Sequence, residues 1–155
     1  MAQAPMRLVV GGNLAIKGSL AKAGQYLLAS RVFTSDLVRN FAELSLDYNP
    51  IHLDADSARE ANGYEKPIVH GMLYSSMFSA MFATKLPGSI YRSQTLSFHA
   101  PVYIDDEVEA RIDVVTIRQR RNLTILTCNT KICVIGGART GLLAVDGKAK
   151  VVTTT

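Results

Sequence analysis

Apolar and polar positions alternate over much of the second half of the chain. Between residues 107 and 117 every second position is apolar, at Val108, Ala110, Ile112 and Val114. This period of two is typical of a strand with one buried face. Similar runs cover residues 123–135 and 142–152, separated by the turn-like Gly136-Gly137, and the segments 26–33 and 89–98 also have strand character. The pattern predicts about five strands.

The stretch from Met72 to Leu86 has a different pattern. It is apolar nearly all round, with small Ser and Ala residues between Met and Phe, and Pro87-Gly88 ends it. A helix that is apolar on every side is one that protein surrounds. We therefore predict a long buried helix. Two shorter helices should precede it, one following the cap Thr34-Ser35-Asp36 and one from Asp54 to Glu65.

One strand before a long buried helix and four after it can form a curved sheet that encloses the helix. The predicted fold is α+β, a hot-dog fold in which an antiparallel sheet wraps around a long central helix. A chain of 155 residues suits one domain with a sizeable core. We expect an N-terminal extension over residues 1–24 and a single hot-dog domain over residues 25–155.

The charge distribution narrows the class of partner. The net charge is +4, but the basic residues are scattered except for Arg118, Arg120 and Arg121 beside Asn122. We interpret this cluster as the solvated end of a hairpin rather than a nucleic-acid site. Alternatively, the positive charge of the protein could attract a phosphate-bearing cofactor or carrier. No apolar run reaches the roughly 18 residues needed to cross a membrane, so we expect no membrane-spanning segment.

Two further features concern the compartment. Cys128 and Cys133 lie in opposite register of one predicted strand, which favours reduced thiols in an intracellular protein. Residues 1–35 contain four basic residues and no Asp or Glu, a composition that suits a mitochondrial transit peptide. A cytoplasmic location is the alternative.

The segment Leu44 to Asp54, "LSLDYNPIHLD", concentrates polar chemistry. In a loop bent by Pro50, the side chains of Asp47 and His52 can converge on one water, which suits general acid and base catalysis. The alternative is that Asp47 caps the next turn and His52 is an ordinary polar loop residue.

His70-Gly71 stands at the start of the predicted buried helix. The first N–H groups of a helix have no intrahelical partner and attract an anion or a developing oxyanion. Gly71 would let a carbonyl group approach those N–H groups closely. A tight turn that packs backbone against backbone is an equally good explanation of this glycine.

Other chemistries have less support. The chain has no His-x-x-x-His or Cys-x-x-Cys pair and no calcium-loop spacing, so we predict no metal. It also lacks the G-x-S-x-G motif of a serine nucleophile. His99 is interpreted as a satisfied surface residue, and the acidic run from Asp105 to Glu107 as the solvated tip of a turn.

The segment "FAELSLDYNPIHLD" resembles the motif of the MaoC-like, (R)-specific enoyl-CoA hydratases, in which D-x-N-P-[IL]-H follows a short helix. "PIVHGML" and "SQTLSFHAPV" are similar to later blocks of that family, in the same order from about Leu27 to the end of the chain. One departure is Leu46, where many members carry Gly before the Asp.

The resemblance implies a homodimeric hot-dog enzyme that reversibly hydrates trans-2-enoyl thioesters to (R)-3-hydroxyacyl thioesters in fatty-acid metabolism. It implies Asp47 and His52 as the catalytic pair, Asn49 as a supporting residue and the Gly71 N–H as the donor to the thioester oxygen. No cofactor is expected, because the acyl group arrives on coenzyme A or acyl carrier protein as substrate. The alternatives are a hot-dog thioesterase and a non-catalytic subunit that binds acyl thioesters. An acyl pocket on the central helix has four candidate residues: Met77, Ser79, Met81 and Phe82.

Overall fold

A computed structural model describes residues 8–14 and 21–154 of the chain. Six strands form one antiparallel sheet in the order β1-β2-β4-β5-β6-β3. The strands are β1 (Gly11–Gly12), β2 (Tyr26–Val32), β3 (Ile90–Phe98), β4 (Glu107–Arg120), β5 (Leu123–Ile135) and β6 (Leu143–Thr154). The helices are α1 (Ser35–Ser45), α2 (Ala55–Asn62) and α3 (Gly71–Lys85), with 3-10 turns at Pro50–His52 and Gly137–Arg139.

The inner face of the sheet and helix α3 share one hydrophobic core. Val108, Ala110 and Ile112 of β4 are fully buried, as the alternating pattern predicts, and Phe78 and Met81 of α3 belong to the same cluster. The predicted faces of β4 are therefore confirmed. Cys128 is buried and Cys133 is half-buried, and both are free thiols.

Helix α3 is not buried on every side of this single chain, so that part of the prediction is wrong. Met72 is 60% exposed. Ser76, Ser79 and Ala83 are also exposed. Residues spaced three and four apart lie on one face of a helix. Because three of the four are small and only weakly polar, the sequence pattern did not distinguish this open stripe from the core face.

The N-terminal segment contributes a short edge strand that the sequence did not predict. Gly11–Gly12 pairs with Leu28 and Leu27 of β2, while the side chains of Val10 and Leu14 are buried. Two glycines carry no strand propensity, so this strand depends on its partner. Residues 1–7 and 15–20 of the predicted extension, including Arg7 and Lys17, lie outside the described residues.

The acidic turn is not a fully solvated tip, which corrects the interpretation of Asp106. Its carboxylate accepts hydrogen bonds from the Tyr103 N–H at 3.0 Å and from Arg139 at 2.5 Å. Arg139 also donates to the Pro101 carbonyl and lies 4.1 Å from the centre of the Tyr103 ring. These contacts link the segment before β4 to the turn before β6.

Across residues 8–14 and 21–154, no helix combines the length and the hydrophobicity needed to cross a membrane.

Candidate active site

The loop that follows α1 places Asp47. Helix α1 ends at Ser45, and its C-cap is Leu46, whose backbone is left-handed (φ 62°, ψ 19°) and whose side chain is 76% exposed. The Asp47 N–H donates to the Ser45 hydroxyl at 3.3 Å, and the Asp47 carboxylate accepts the Asn49 N–H at 3.3 Å. The left-handed step turns the chain sharply enough to leave this carboxylate about half exposed at a cavity.

The backbone at Leu46 explains why glycine suits this position. A left-handed conformation costs a residue with a Cβ roughly 1–2 kcal/mol, a cost that glycine avoids. We expect Leu46→Gly to leave the free energy of unfolding unchanged or to raise it by up to about 1 kcal/mol, because its greater unfolded-state entropy offsets part of the gain. Leu44→Gly is the matched control, since Leu44 is 83% exposed but helical. It should lower stability by about 1 kcal/mol. Denaturant unfolding measures both, and equal losses would contradict the strain at Leu46.

His52 is held by the 3-10 turn that Pro50 begins. The Asn49 side chain caps this turn by accepting the Ile51 N–H at 3.4 Å. His52 Nδ1 lies 2.8 Å from the Ile68 carbonyl oxygen, which can only accept. The proton of the neutral ring is therefore on Nδ1, and Nε2 keeps a free lone pair. A buried imidazole with a free lone pair is suited to accept a proton.

His70, directly before α3, packs against both of these elements. Its ring centre lies 3.8 Å from that of His52, with 27° between the planes. Its Nε2 is 3.0 Å from the Asp47 backbone oxygen and 4.0 Å from the Asp47 carboxylate. One ligand-type atom of each of Asp47, His52 and His70 lies within 4.8 Å of the other two. Two groups at that separation can hold one water between them, because two hydrogen bonds of ~2.8 Å can bridge it.

The same three residues also offer ligand atoms of the types that metals bind. The hydrogen-bond pattern fits a metal poorly. The proton on His70 Nε2 is donated to the Asp47 carbonyl, and Nδ1 is fully buried with no partner among the described residues. In this arrangement neither nitrogen of His70 is suited to bind a metal ion together with Asp47 and His52. The absence of a bound metal remains a prediction.

Gly71 begins α3 at the wall of the cavity. The first hydrogen bonds of the helix start at the Leu73 and Tyr74 N–H groups, which donate to the His70 carbonyl. Among the described residues, no acceptor satisfies the Gly71 N–H. A Cβ at this position would lie 2.6 Å from Cε1 of Phe98. A side chain at this position would have to displace the Phe98 ring, so a close side chain rather than backbone packing explains the glycine.

A cavity of about 460 Å³ joins these groups. Asp47, His52, His70 and Gly71 all line it, so the structure brings the two predicted constellations together. The other walls are mainly apolar and include four aromatic side chains from separate segments: Phe41, Tyr64, Tyr74 and Phe98. A mainly apolar cavity with a few polar groups at one end is typical of a small-molecule site.

The four candidate acyl-pocket residues do not line this cavity. Met77, Met81 and Phe82 are buried in the core. Ser79 is exposed, and its hydroxyl donates to the Ser76 carbonyl. Their contact with an acyl chain remains a prediction.

His99 has a partner, as expected, since its Nε2 lies 3.0 Å from the Asp146 carboxylate. Sequence reasoning missed that His99 also lines the cavity. It likewise missed the packing of His70 on His52. The available signal was the position of each histidine inside a family-like block, His70 in PIVHGML and His99 in SQTLSFHAPV. Side-chain packing between segments so distant in sequence cannot be read from spacing.

An antiparallel sheet around a central helix defines a hot-dog protein, and an Asp and a His share one cavity with the N-terminus of that helix as a candidate acid-base site. The chain matches the MaoC like domain family over residues 20–133. It is 44% identical over 132 residues to an (R)-specific enoyl-CoA hydratase of Aeromonas caviae, covering 84% of this chain and 93% of that protein. It is 41% identical over 132 residues to a mitochondrial 3-hydroxyacyl-[acyl-carrier-protein] dehydratase of Arabidopsis thaliana, covering 81% and 79%.

The fold is similar to the solved structure of the (R)-hydratase from A. caviae involved in PHA biosynthesis. The TM-score is 0.78 at 40% identity, covering 89% of this chain and all of that one. The chain therefore belongs to the MaoC-like domain family, and the predicted hot-dog fold is confirmed.

Proposed function

We propose that the protein is a hydro-lyase that reversibly adds water to trans-2-enoyl thioesters, giving (R)-3-hydroxyacyl thioesters in fatty-acid metabolism. The main support is the convergence of the Asp47 carboxylate, His52 and the start of α3 on one cavity. The relatives named as hydratases and dehydratases support the same reaction class.

The free lone pair of His52 determines how the water would react. Asp47 and His52 hold one water, and His52 Nε2 takes a proton from it as its oxygen bonds to C3 of the enoyl group. The C2–C3 double bond becomes single as its electrons move toward the carbonyl. The proton is then delivered to C2 on the same face. One water is consumed, and no group is oxidised or reduced.

The thioester oxygen gains negative charge during this step. The unpartnered Gly71 N–H, at the positive end of α3, would donate to that oxygen. Such a donor acts mainly in the transition state and therefore raises kcat more than it tightens substrate binding. Asn49 would support the site indirectly, by capping the turn that carries His52.

The pH dependence of the reaction follows from the environment of His52. Burial lowers the pKa of its imidazole below the ordinary 6.5; the Ile68 carbonyl and Asp47 raise this pKa, and His70 lowers it further. A base acts only when unprotonated, so kcat/KM should fall on acidification, with a midpoint below 6.5. A pH profile of kcat/KM measures this limb. A midpoint clearly above 6.5 would mean that His52 is still charged near neutrality. That result would contradict its role as the base.

The reaction itself is tested by mixing the protein with crotonyl-CoA and following the absorbance of the conjugated thioester. Loss of that absorbance without release of free thiol is the expected result. Release of thiol would indicate a thioesterase, and tight binding without either change would indicate a binding subunit. Failure with several chain lengths, on both coenzyme A and acyl carrier protein, would exclude the proposal.

The open stripe of α3 supports a homodimer. Met72, Ser76, Ser79 and Ala83 expose one face of this helix, and β3 is an edge strand with exposed Ile90. Small residues let two helices approach closely, and an unpaired strand edge favours pairing with another copy. Light scattering should give twice the chain mass of 16.9 kDa. The mass of a single chain would contradict the dimer.

We also propose that the protein is located in mitochondria. The acid-free first 35 residues and the mitochondrial names of two plant relatives support this location. A carboxyl-terminal fluorescent fusion should colocalise with a mitochondrial marker, and a diffuse cytoplasmic signal would contradict it.

A further inference from the structure

We propose that His70 is a positioning residue that fixes both members of the catalytic pair, an inference that rests on the proposed function. His70 is 2% exposed and needs no contact with substrate to act. Three segments meet at its ring: the loop of Asp47, the turn of His52 and helix α1 through Phe41.

The first contact fixes the Asp47 peptide. The Asp47 carbonyl can only accept, so His70 Nε2 carries the proton that spans the 3.0 Å between them. The Asp47 N–H and carboxylate are already bonded to Ser45 and Asn49. With His70 added, all three polar groups of Asp47 have a protein partner, although its side chain is half exposed.

The second contact fixes the ring of His52. The two imidazoles are stacked at 3.8 Å, and Phe41 packs on His70 with ring centres 5.1 Å apart. The Ile68 carbonyl sets the tautomer of His52, and the stacked ring limits rotation of its plane. Together they determine the direction of Nε2.

The unused nitrogen of His70 indicates why an imidazole occupies this position. Within residues 8–14 and 21–154, Nδ1 is buried with no hydrogen-bond partner, an arrangement that disfavours folding. An apolar ring of similar size would fill the space without that cost, but it could not donate to Asp47. A residue selected for stability alone would not need the Nε2–H of His70. We therefore assign the positioning role to this hydrogen-bond donor.

Three substitutions separate the donor from the packing. His70→Gln keeps an amide N–H at the distance of Nε2, whereas His70→Asn places it about one bond length short of Asp47. His70→Phe keeps the stacked ring without a donor. Because a displacement of about 1 Å can cost up to ~100-fold in rate, we expect kcat to fall at least ~10-fold in His70→Asn and His70→Phe, with KM within about 3-fold. His70→Gln should recover most of this loss.

Thermal melting and turnover on the same samples decide the outcome. If all three variants keep the wild-type kcat, or if kcat falls only as far as the folded fraction falls, His70 is not a positioning residue. A His70→Gln variant no more active than His70→Asn would also overturn the inference.

A measurement that does not depend on activity distinguishes failure of the positioning role of His70 from failure of the proposed function. Imidazole nitrogen NMR of the wild-type protein should give a proton on Nε2 of His70 and on Nδ1 of His52. The opposite tautomer at either ring would overturn the positioning role whatever the activity. Wild-type protein that has these tautomers but converts no enoyl thioester would exclude the proposed function itself.

Discussion

Asp47→Asn and His52→Asn should each lower kcat at least ~100-fold, the usual contribution of a positioned acid or base. Asp47→Asn removes the charge but keeps the shape of the side chain. His52→Asn keeps a donor near the Ile68 carbonyl while it deletes the free Nε2. His52→Ala should lose activity to the same extent, with some additional loss of stability because His52 is buried.

The two substitutions should also be non-additive. If Asp47 and His52 hold one water, removal of either disables the pair, and the double variant should be little slower than each single one. Asp56→Asn is the control, because Asp56 is an exposed carboxylate on α2, away from the cavity, that pairs with Arg59. It should leave kcat within about 2-fold. Variants of Asp47 or His52 that keep nearly full activity while folded would refute the catalytic assignment.

Replacing Gly71 with proline should lower kcat by ~100-fold to ~1,000-fold relative to Gly71→Ala, the range measured for loss of one oxyanion donor. Proline has no N–H, and it is well tolerated at the first position of a helix. The preceding residue suits it too, since His70 has an extended ψ of 130°. The substitution therefore removes the donor while the helix can still form.

Gly71→Ala is the matched control for the close contact at this position. Both variants add a Cβ that must displace the Phe98 ring, but only alanine keeps the N–H. The loss of kcat in Gly71→Ala should thus measure the cost of moving Phe98. The further loss of kcat in the proline variant should measure the contribution of the Gly71 N–H. Equal activity of the alanine and proline variants would exclude the Gly71 N–H as a donor to the thioester oxygen.

Regular periodicity made most of the fold predictable. β5 begins and ends at the predicted residues, and α3 begins one residue before the predicted helix and ends one residue before its predicted end. The exposed stripe of α3 was missed because hydrophobicity does not separate a core face from a face of small residues. The pair Asp106–Arg139 was missed because its members are 33 residues apart and only the tertiary fold brings them together.

The site was predictable where its residues are close in sequence. Asp47 and His52 occupy one bent segment, so their convergence followed from Pro50 and the spacing. Their placement opposite Gly71 depends on how α3 sits in the sheet, and the sequence suggested it only through the resemblance. The family and the hydratase class are confirmed by the comparisons. The individual roles of Asp47, His52 and Gly71 remain predictions.

The most direct test of the central claim follows the oxygen of the water. The protein is incubated with crotonyl-CoA in oxygen-18-labelled water, and the product is analysed by mass spectrometry and on a chiral column. We expect an intact (R)-3-hydroxybutyryl thioester with the label in the C3 hydroxyl. Label in the carboxylate of a free acid, or the (S) product, would contradict the account, as would no incorporation with any of several chain lengths on coenzyme A and on acyl carrier protein.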